Sequence, residues 1–253
     1  MSLPVRTRIS SPSAPDIALP PPFRLVTLRE VGDAFAHAKA NAAKDGAGTL
    51  VYVGRFDLVE FALVLEPDEP LRGARRTFYA AMNALADALA VHAPPEKPIR
   101  FDWPDAVTVD GGLVGGGRLA WPNRAAEDKP PPWLVFGATI RLVAMTEGIA
   151  ALSPWSAALE EEGFDDLGAG RLVGAFARHF MVTLDAWQEQ GFAPVAKDYL
   201  ERVTPEKGVR RMIDENGDLL VRTIGGVDVA RRKLVPALAK PSWLDPATGG
   251  PRA

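Results

Sequence analysis

Five glycines fall within seven positions, Gly111, Gly112, Gly115, Gly116 and Gly117, inside a stretch that otherwise reads as strand. A glycine in a strand weakens it, but the missing Cβ lets another backbone or a flat group approach the sheet closely. The stretch therefore predicts a hairpin followed by a bulge, or a floor on which something planar rests. The glycines do not open a helix at dinucleotide-fingerprint spacing, and no Lys-Ser or Lys-Thr follows to complete a P-loop.

Apolar and β-branched runs on either side set the frame. Phe23 to Leu28, Thr49 to Val53, Val59 to Leu65, Ile99 to Phe101, Ala106 to Val109, Leu113 to Trp121 and Trp133 to Val143 read as strands. Helical spacing joins Val31, Ala34, Phe35, Ala38 and Ala42, and again Phe78, Met82, Leu85 and Leu89 within an amphipathic helix expected over 72–92. Further helices are expected from Leu167 to Gln190 and after Gly191. Beyond Pro205, two short runs flank Asn216-Gly217, a pair suited to a tight hairpin, so a small β unit begins there. Residues 1–22, with Pro12, Pro15 and Pro20-Pro21-Pro22, read as a flexible arm, and 122–132 as a long loop.

Composition removes several chemistries. The 253 residues are 47% hydrophobic, which suits a globular chain, and 29 basic against 32 acidic residues leave a formal charge of -3, so no broad basic field exists to grip nucleic acid. With no cysteine, the chain has no disulfide, thiolate ligand or cysteine nucleophile of its own. His37, His92 and His179 lack metal-ligand spacing, and Ser153 and Ser156 lack a nucleophile elbow. No apolar run is long enough to span a bilayer and no signal peptide opens the chain, so the expected location is cytoplasmic.

The segment Arg100-Phe-Asp-Trp-Pro-Asp-Ala-Val-Thr-Val-Asp-Gly-Gly-Leu-Val-Gly-Gly-Gly117 resembles the central signature of the biotin/lipoate A/B protein ligase family. There the pattern is roughly Lys-Trp-Pro-Asn-Asp, a short strand, Asp-Gly, then a Lys and a glycine-rich strand. Gly46 to Val53 is similar to the strand entering the family's ligand loop, Phe61 to Pro67 to the strand leaving it, and Trp133 to Val143 to its inner strand. The resemblance implies an α+β fold: a mixed sheet flanked by helices, related to the class II aminoacyl-tRNA synthetase catalytic domain. Its expected extent is 23–204, after the arm at 1–22 and before a small β-rich domain at 205–253. It also implies activation of biotin or lipoate as an acyl adenylate, with ATP and magnesium as co-substrates and no permanent cofactor. The partners it implies are a small acyl ligand and a biotinyl or lipoyl carrier domain.

Departures from the pattern sharpen the question. Asp102 stands where the family has a lysine, Asp105 and Ala106 replace Asn-Asp, and the second lysine falls near Gly112 or Leu113. At an effective dielectric of about 20, like charges about 4 Å apart repel by about 4 kcal/mol, roughly three powers of ten in rate. The ligand loop is shortened to Gly54-Arg-Phe-Asp57, leaving Arg55 as its cation, and Val31-Gly-Asp33 replaces a Ser-Thr-Asn that holds the biotin head group. Arg55, Arg100, Arg118 and Arg141 are the cations near strand ends that could take over. The expected ligand-binding residues are Arg55, Asp102, Trp103, Pro104, Gly115, Gly116, Gly117 and Arg118, with no metal ligand. Two functions follow: a ligase that attaches an acyl group to a carrier lysine, or a pseudo-ligase that only binds ligand or carrier.

Overall fold

The computed structural model describes residues 17–144, 155–165 and 167–253. Residues 1–16 of the arm expected over 1–22, and the serine at 153, lie outside the described residues. Within 17–22, Ile17 and Leu19 lie against the core and the Ala18 carbonyl approaches Gly174.

The main sheet is built from β1 (Arg24–Leu28), β2 (Thr49–Gly54), β3 (Leu58–Leu65), β4 (Ile99–Asp102), β5 (Ala106–Val109), β6 (Gly112–Ala120) and β7 (Leu134–Arg141). Their spatial order is β1-β2-β3-β7-β6-β5-β4. Only β1 and β2 run parallel, joined by α1 (Ala34–Asp45) as a crossover, and every other neighbouring pair is antiparallel. Asp33 caps α1 by accepting from the Ala36 N–H at 2.7 Å, and Gly46, at φ 74°, ends it.

Two unlike layers cover the two faces. On one lie α2 (Leu71–Ala74), α3 (Thr77–Ala90), α4 (Ala169–Gln190) and α5 (Phe192–Arg202), over a core in which Phe61 meets Phe176 at 4.6 Å and Phe176 stacks on Phe136 and Phe180 at 5.7 Å each. On the other lies α1, whose Ala38 and Ala42 are small enough to press it onto Val51, Ala62 and Val135. The helix expected over 72–92 divides at Arg75-Arg76, where Arg76 N–H and Phe78 N–H donate three residues back instead of four. Arg75 leaves the helix to pair with Glu127 and cover Trp121, and Arg76 to pair with Glu69. The second half is buried nearly all round, because it lies between the sheet and α4 and α5.

A separate sheet of β8 (Val209–Ile213), β9 (Leu219–Thr223) and β10 (Val229–Arg232) follows, ending in α6 (Leu234–Leu238). The expected Asn216-Gly217 turn forms, with the Asp214 carboxylate accepting from Asn216 and Asp218 N–H and Gly217 at φ 84°. Tyr79 Oη donates to the Gly217 carbonyl at 2.6 Å and ties this unit to α3. No helix among the described residues is long and apolar enough to cross a membrane.

Candidate functional site

Antiparallel partners share a sheet face, so register alone aligns the side chains of the α1 face. One row runs Asp102, Ala106, Gly116, Thr139, Glu60, Val53, and the next runs Arg118, Gly137, Ala62, Val51. Glu60 is buried, and its Oε1 accepts from the Ala34 N–H at 2.7 Å, at the start of α1. Burial raises the Glu60 carboxyl pKa, opposed by that hydrogen bond. Thr139, directly opposite Glu60, is fully buried and its Oγ1 has no partner among the described residues.

Arg118 lies one row over, with its guanidinium 4.4 Å from the Phe35 ring centre and its buried Nε also lacking a partner among the described residues. Burial lowers the Arg118 pKa while Asp33 and Glu60 oppose the shift. Phe35 can lie there because its neighbour across the face is Gly137, where a Cβ would come within 2.5 Å of the ring. A carboxylate, a hydroxyl and a guanidinium thus gather beneath the start of α1, two of them with hydrogen-bonding capacity unused. Such capacity costs stability unless something else engages it.

The three consecutive glycines have three different reasons. A Cβ at Gly115 would lie 2.0 Å from the Thr139 carbonyl oxygen, and the strand register slips beside it, so the expected bulge is present. A Cβ at Gly117 would enter the helical core, 2.6 Å from Met82 Sδ. Gly116 faces the α1 side, and the flat group resting on it is the chain's own Trp243, 2.4 Å from where a Cβ would stand. Trp243 is 1% exposed and donates from Nε1 to the Gly117 carbonyl at 3.2 Å. Sequence reasoning missed this residue: around it stand prolines, glycines and polar residues with no periodicity.

The other expected residues disperse. Trp103 packs against the helical core and donates from Nε1 to Tyr79 Oη at 3.1 Å, while the Pro104 carbonyl accepts from Tyr199 Oη at 2.7 Å. The corner is therefore clamped to the helical layer. Arg55 is held by Asp57 through bonds of 3.1 and 2.9 Å, which raise its pKa. Arg100 turns to the Glu201 carbonyl at the sheet edge.

Asp102 requires a correction to the charge-inversion expectation. Its carboxylate is exposed and accepts from Thr204 Oγ1 at 2.8 Å, at the outer strand of the row. Two strand spacings separate it from Gly116, roughly 10 Å, where repulsion through water is about 0.4 kcal/mol rather than 4. Near Gly116 the buried acid is Asp105, whose pKa burial raises to about 6, against the lowering effect of its bonds from Ser242. The buried cations on the same face are Arg118, largely covered, and Arg141, which is 7% exposed.

The site is thus a mixed sheet with helices stacked on one face and, on the other, a layer of buried polar groups around Gly116. The model of the biotin/lipoate A/B protein ligase family matches residues 19–201, and the chain belongs to that family. It is 28% identical over 198 residues, 69% of this chain and 76% of the relative, to the biotin–[acetyl-CoA-carboxylase] ligase of Paracoccus denitrificans. Among solved structures, a biotin protein ligase-like protein of unknown function from Silicibacter sp. tm1040 superimposes with a TM-score of 0.76 at 26% identity, covering 87% of this chain and 98% of that one. The biotin protein ligase of Aquifex aeolicus, also solved in complex with biotin and ATP, shares the fold with a TM-score of 0.63 at 16% identity, over 83% of this chain and 99% of its own.

Proposed function

We propose that the chain recognises a biotin- or lipoyl-like acyl group at the polar layer beneath the start of α1, with attachment of that group to a carrier-protein lysine as the associated reaction. The observation that carries the reading is the pair of buried, unused donors, Arg118 Nε and Thr139 Oγ1, flanking Glu60. A head group with oxygen acceptors and an N–H edge engages all three and removes the cost of leaving them unpaired. The Arg118 cation and its Phe35 platform distinguish this site from a purely neutral one.

In the ligase reaction, a carboxylate oxygen of the acyl group attacks the α-phosphorus of ATP and pyrophosphate leaves. The carrier amine then attacks the acyl carbonyl and AMP leaves. Magnesium, held chiefly by the nucleotide phosphates, would neutralise charge on them as the adenylate forms. Isothermal titration with biotin, lipoate and ATP, followed by mass spectrometry for an acyl adenylate, tests the proposal. Binding of biotin or lipoate with adenylate formation is expected, and absence of binding to all three overturns it.

The pseudo-ligase reading rests on a different observation: neither Asp102 nor Gly112 supplies the amine of the family pattern, and Trp243 covers Gly116. Ligand binding without any adenylate selects that reading.

A further inference from the structure

The segment from Ser242 to Arg252 folds on itself. Leu244 bridges Pro251, Asp245 N–H donates to the Gly250 carbonyl at 2.9 Å, and Arg252 N–H donates to the Trp243 carbonyl at 2.8 Å. The Asp245 carboxylate accepts from Ala247 N–H at 2.9 Å and from Thr248 Oγ1 at 3.1 Å, which closes the loop. A hairpin with this many internal bonds keeps its shape when it moves as a unit. Its link to the rest of the chain is the short stretch 239–241 after α6.

Its docking contacts fall on either side of the sheet face at Gly116. At one, Ser242 donates from N and Oγ to the Asp105 carboxylate, at 3.2 and 2.8 Å. At the other, Arg141 Nη2 donates to the carbonyls of Pro251 and Arg252, at 2.6 and 2.9 Å, and Ser156 Oγ donates to the latter at 3.0 Å. Between them the Trp243 ring lies on bare backbone at Gly116. Trp243 is buried yet belongs to none of the hydrophobic clusters, so its seat is a polar floor and not a share of the core. The buried carboxylate and the buried guanidinium are therefore each met by neutral groups of the hairpin, and Arg141 also donates to the Ala157 carbonyl at 3.3 Å, with Glu161 and Asp57 as the acids acting on it.

We propose that the hairpin 242–252 is a removable plug: docked, it fills the sheet face over Gly116 in place of a ligand, and released, it uncovers Asp105, Gly116 and Arg141 together. The class of ligand it excludes is a planar group with an N–H edge for the Gly117 carbonyl, carrying carboxylate or phosphate oxygens for Arg141. The identity of that ligand as an acyl group with ATP rests on the function proposed above, whereas the plugging itself does not. A plug that is open in about one molecule in a hundred weakens apparent affinity about a hundredfold, and its loss restores that factor.

The test uses the full chain, the Trp243→Ala variant and a chain ending at Lys240, each titrated with biotin plus ATP. Both changes are expected to tighten binding at least tenfold. Equal affinity in all three overturns the plug and leaves the proposed function standing. Absence of binding in all three overturns the proposed function, and the plug is then decided by a synthetic peptide of residues 240–253 added to the shortened chain. Its binding supports a separable plug, and its failure to bind overturns one. Should the variants not fold, hydrogen exchange on the unmodified chain decides. The amide of Ser242, which donates to Asp105 only while the hairpin is docked, is expected to exchange at least a hundredfold faster than those of β7, and equal rates overturn the proposal.

Discussion

Gly116 and Gly117 are adjacent residues on opposite faces of one strand, and the difference between their surroundings separates the two halves of the molecule. Gly117 opens towards Met82, Phe78 and Phe136, an apolar layer where packing is complete. Gly116 opens towards a tryptophan on polar backbone, with Asp105, Thr139, Glu60 and Arg118 nearby. The helical face holds the fold together, and the α1 face carries buried charge and unused hydrogen-bonding capacity at the expense of stability. Polar groups of that kind are the expected marks of a binding site.

The comparison breaks most sharply if the helical face can be damaged without penalty. Phe136→Ala removes a ring stacked on Phe176 and should destabilise the chain by about 3–5 kcal/mol, read from chemical denaturation. A loss below about 1 kcal/mol, smaller than large-to-small core changes normally give, would show that the two faces are not energetically distinct.

Next in size is the buried acid. Asp105 has a pKa of about 6 in the folded chain against an ordinary 3.8, so the folded state holds its proton where the unfolded state has lost it. The contribution is fully present below the ordinary value and is lost as pH rises through 6, and over that interval it amounts to on the order of 3 kcal/mol. Asp105→Asn should flatten the fall in stability between pH 4 and 7 relative to the unchanged chain. Parallel stability curves for the two proteins would contradict burial as the cause.

Thr139→Val tests the other side of the comparison. The exchange removes an unpartnered buried hydroxyl while keeping its shape, so stability should rise by about 1 kcal/mol. Affinity for biotin or lipoate should fall at the same time, by about 1 kcal/mol or about fivefold, if that hydroxyl serves a ligand. A variant that is more stable and binds equally well would make Thr139 an unimproved core position.

How much of this was legible follows from range. The seven strands of the main sheet are local apolar runs, and the Asn216-Gly217 turn is a two-residue signal, so both could be read directly. The exposed β10, whose Val229-Ala-Arg-Arg232 has no alternation, and the five-residue α6 carry no such pattern. Glu60 had a signal, a lone carboxylate inside an apolar run, and Arg141 was among the cations singled out. Trp243 had none, because its contact with Gly117 spans 126 positions and no local rule reaches that far. For the three glycines, alternation assigns faces but not what stands on each face.

Asp102 shows the same limit in electrostatics, and its replacement should have the smallest effect. Sequence position places this carboxylate where the family pattern has an amine, and register confirms that it shares a face with Gly116. Neither fact gives its distance from the cleft or its contact with solvent, and those decide the energy. With the side chain exposed and bonded to Thr204, Asp102→Lys changes the field at Gly116 from weak repulsion to weak attraction. By the 10 Å separation in water, the change is worth roughly 1 kcal/mol or less for a singly charged ligand, about a fivefold gain in affinity at most and smaller in physiological salt. Calorimetry with ATP at low and physiological ionic strength measures it. A gain of a hundredfold that persists in salt would place the carboxylate inside the desolvated cleft and restore the charge-inversion argument; a marginal, salt-sensitive gain keeps the electrostatics of the site with Arg118, Arg141 and Asp105.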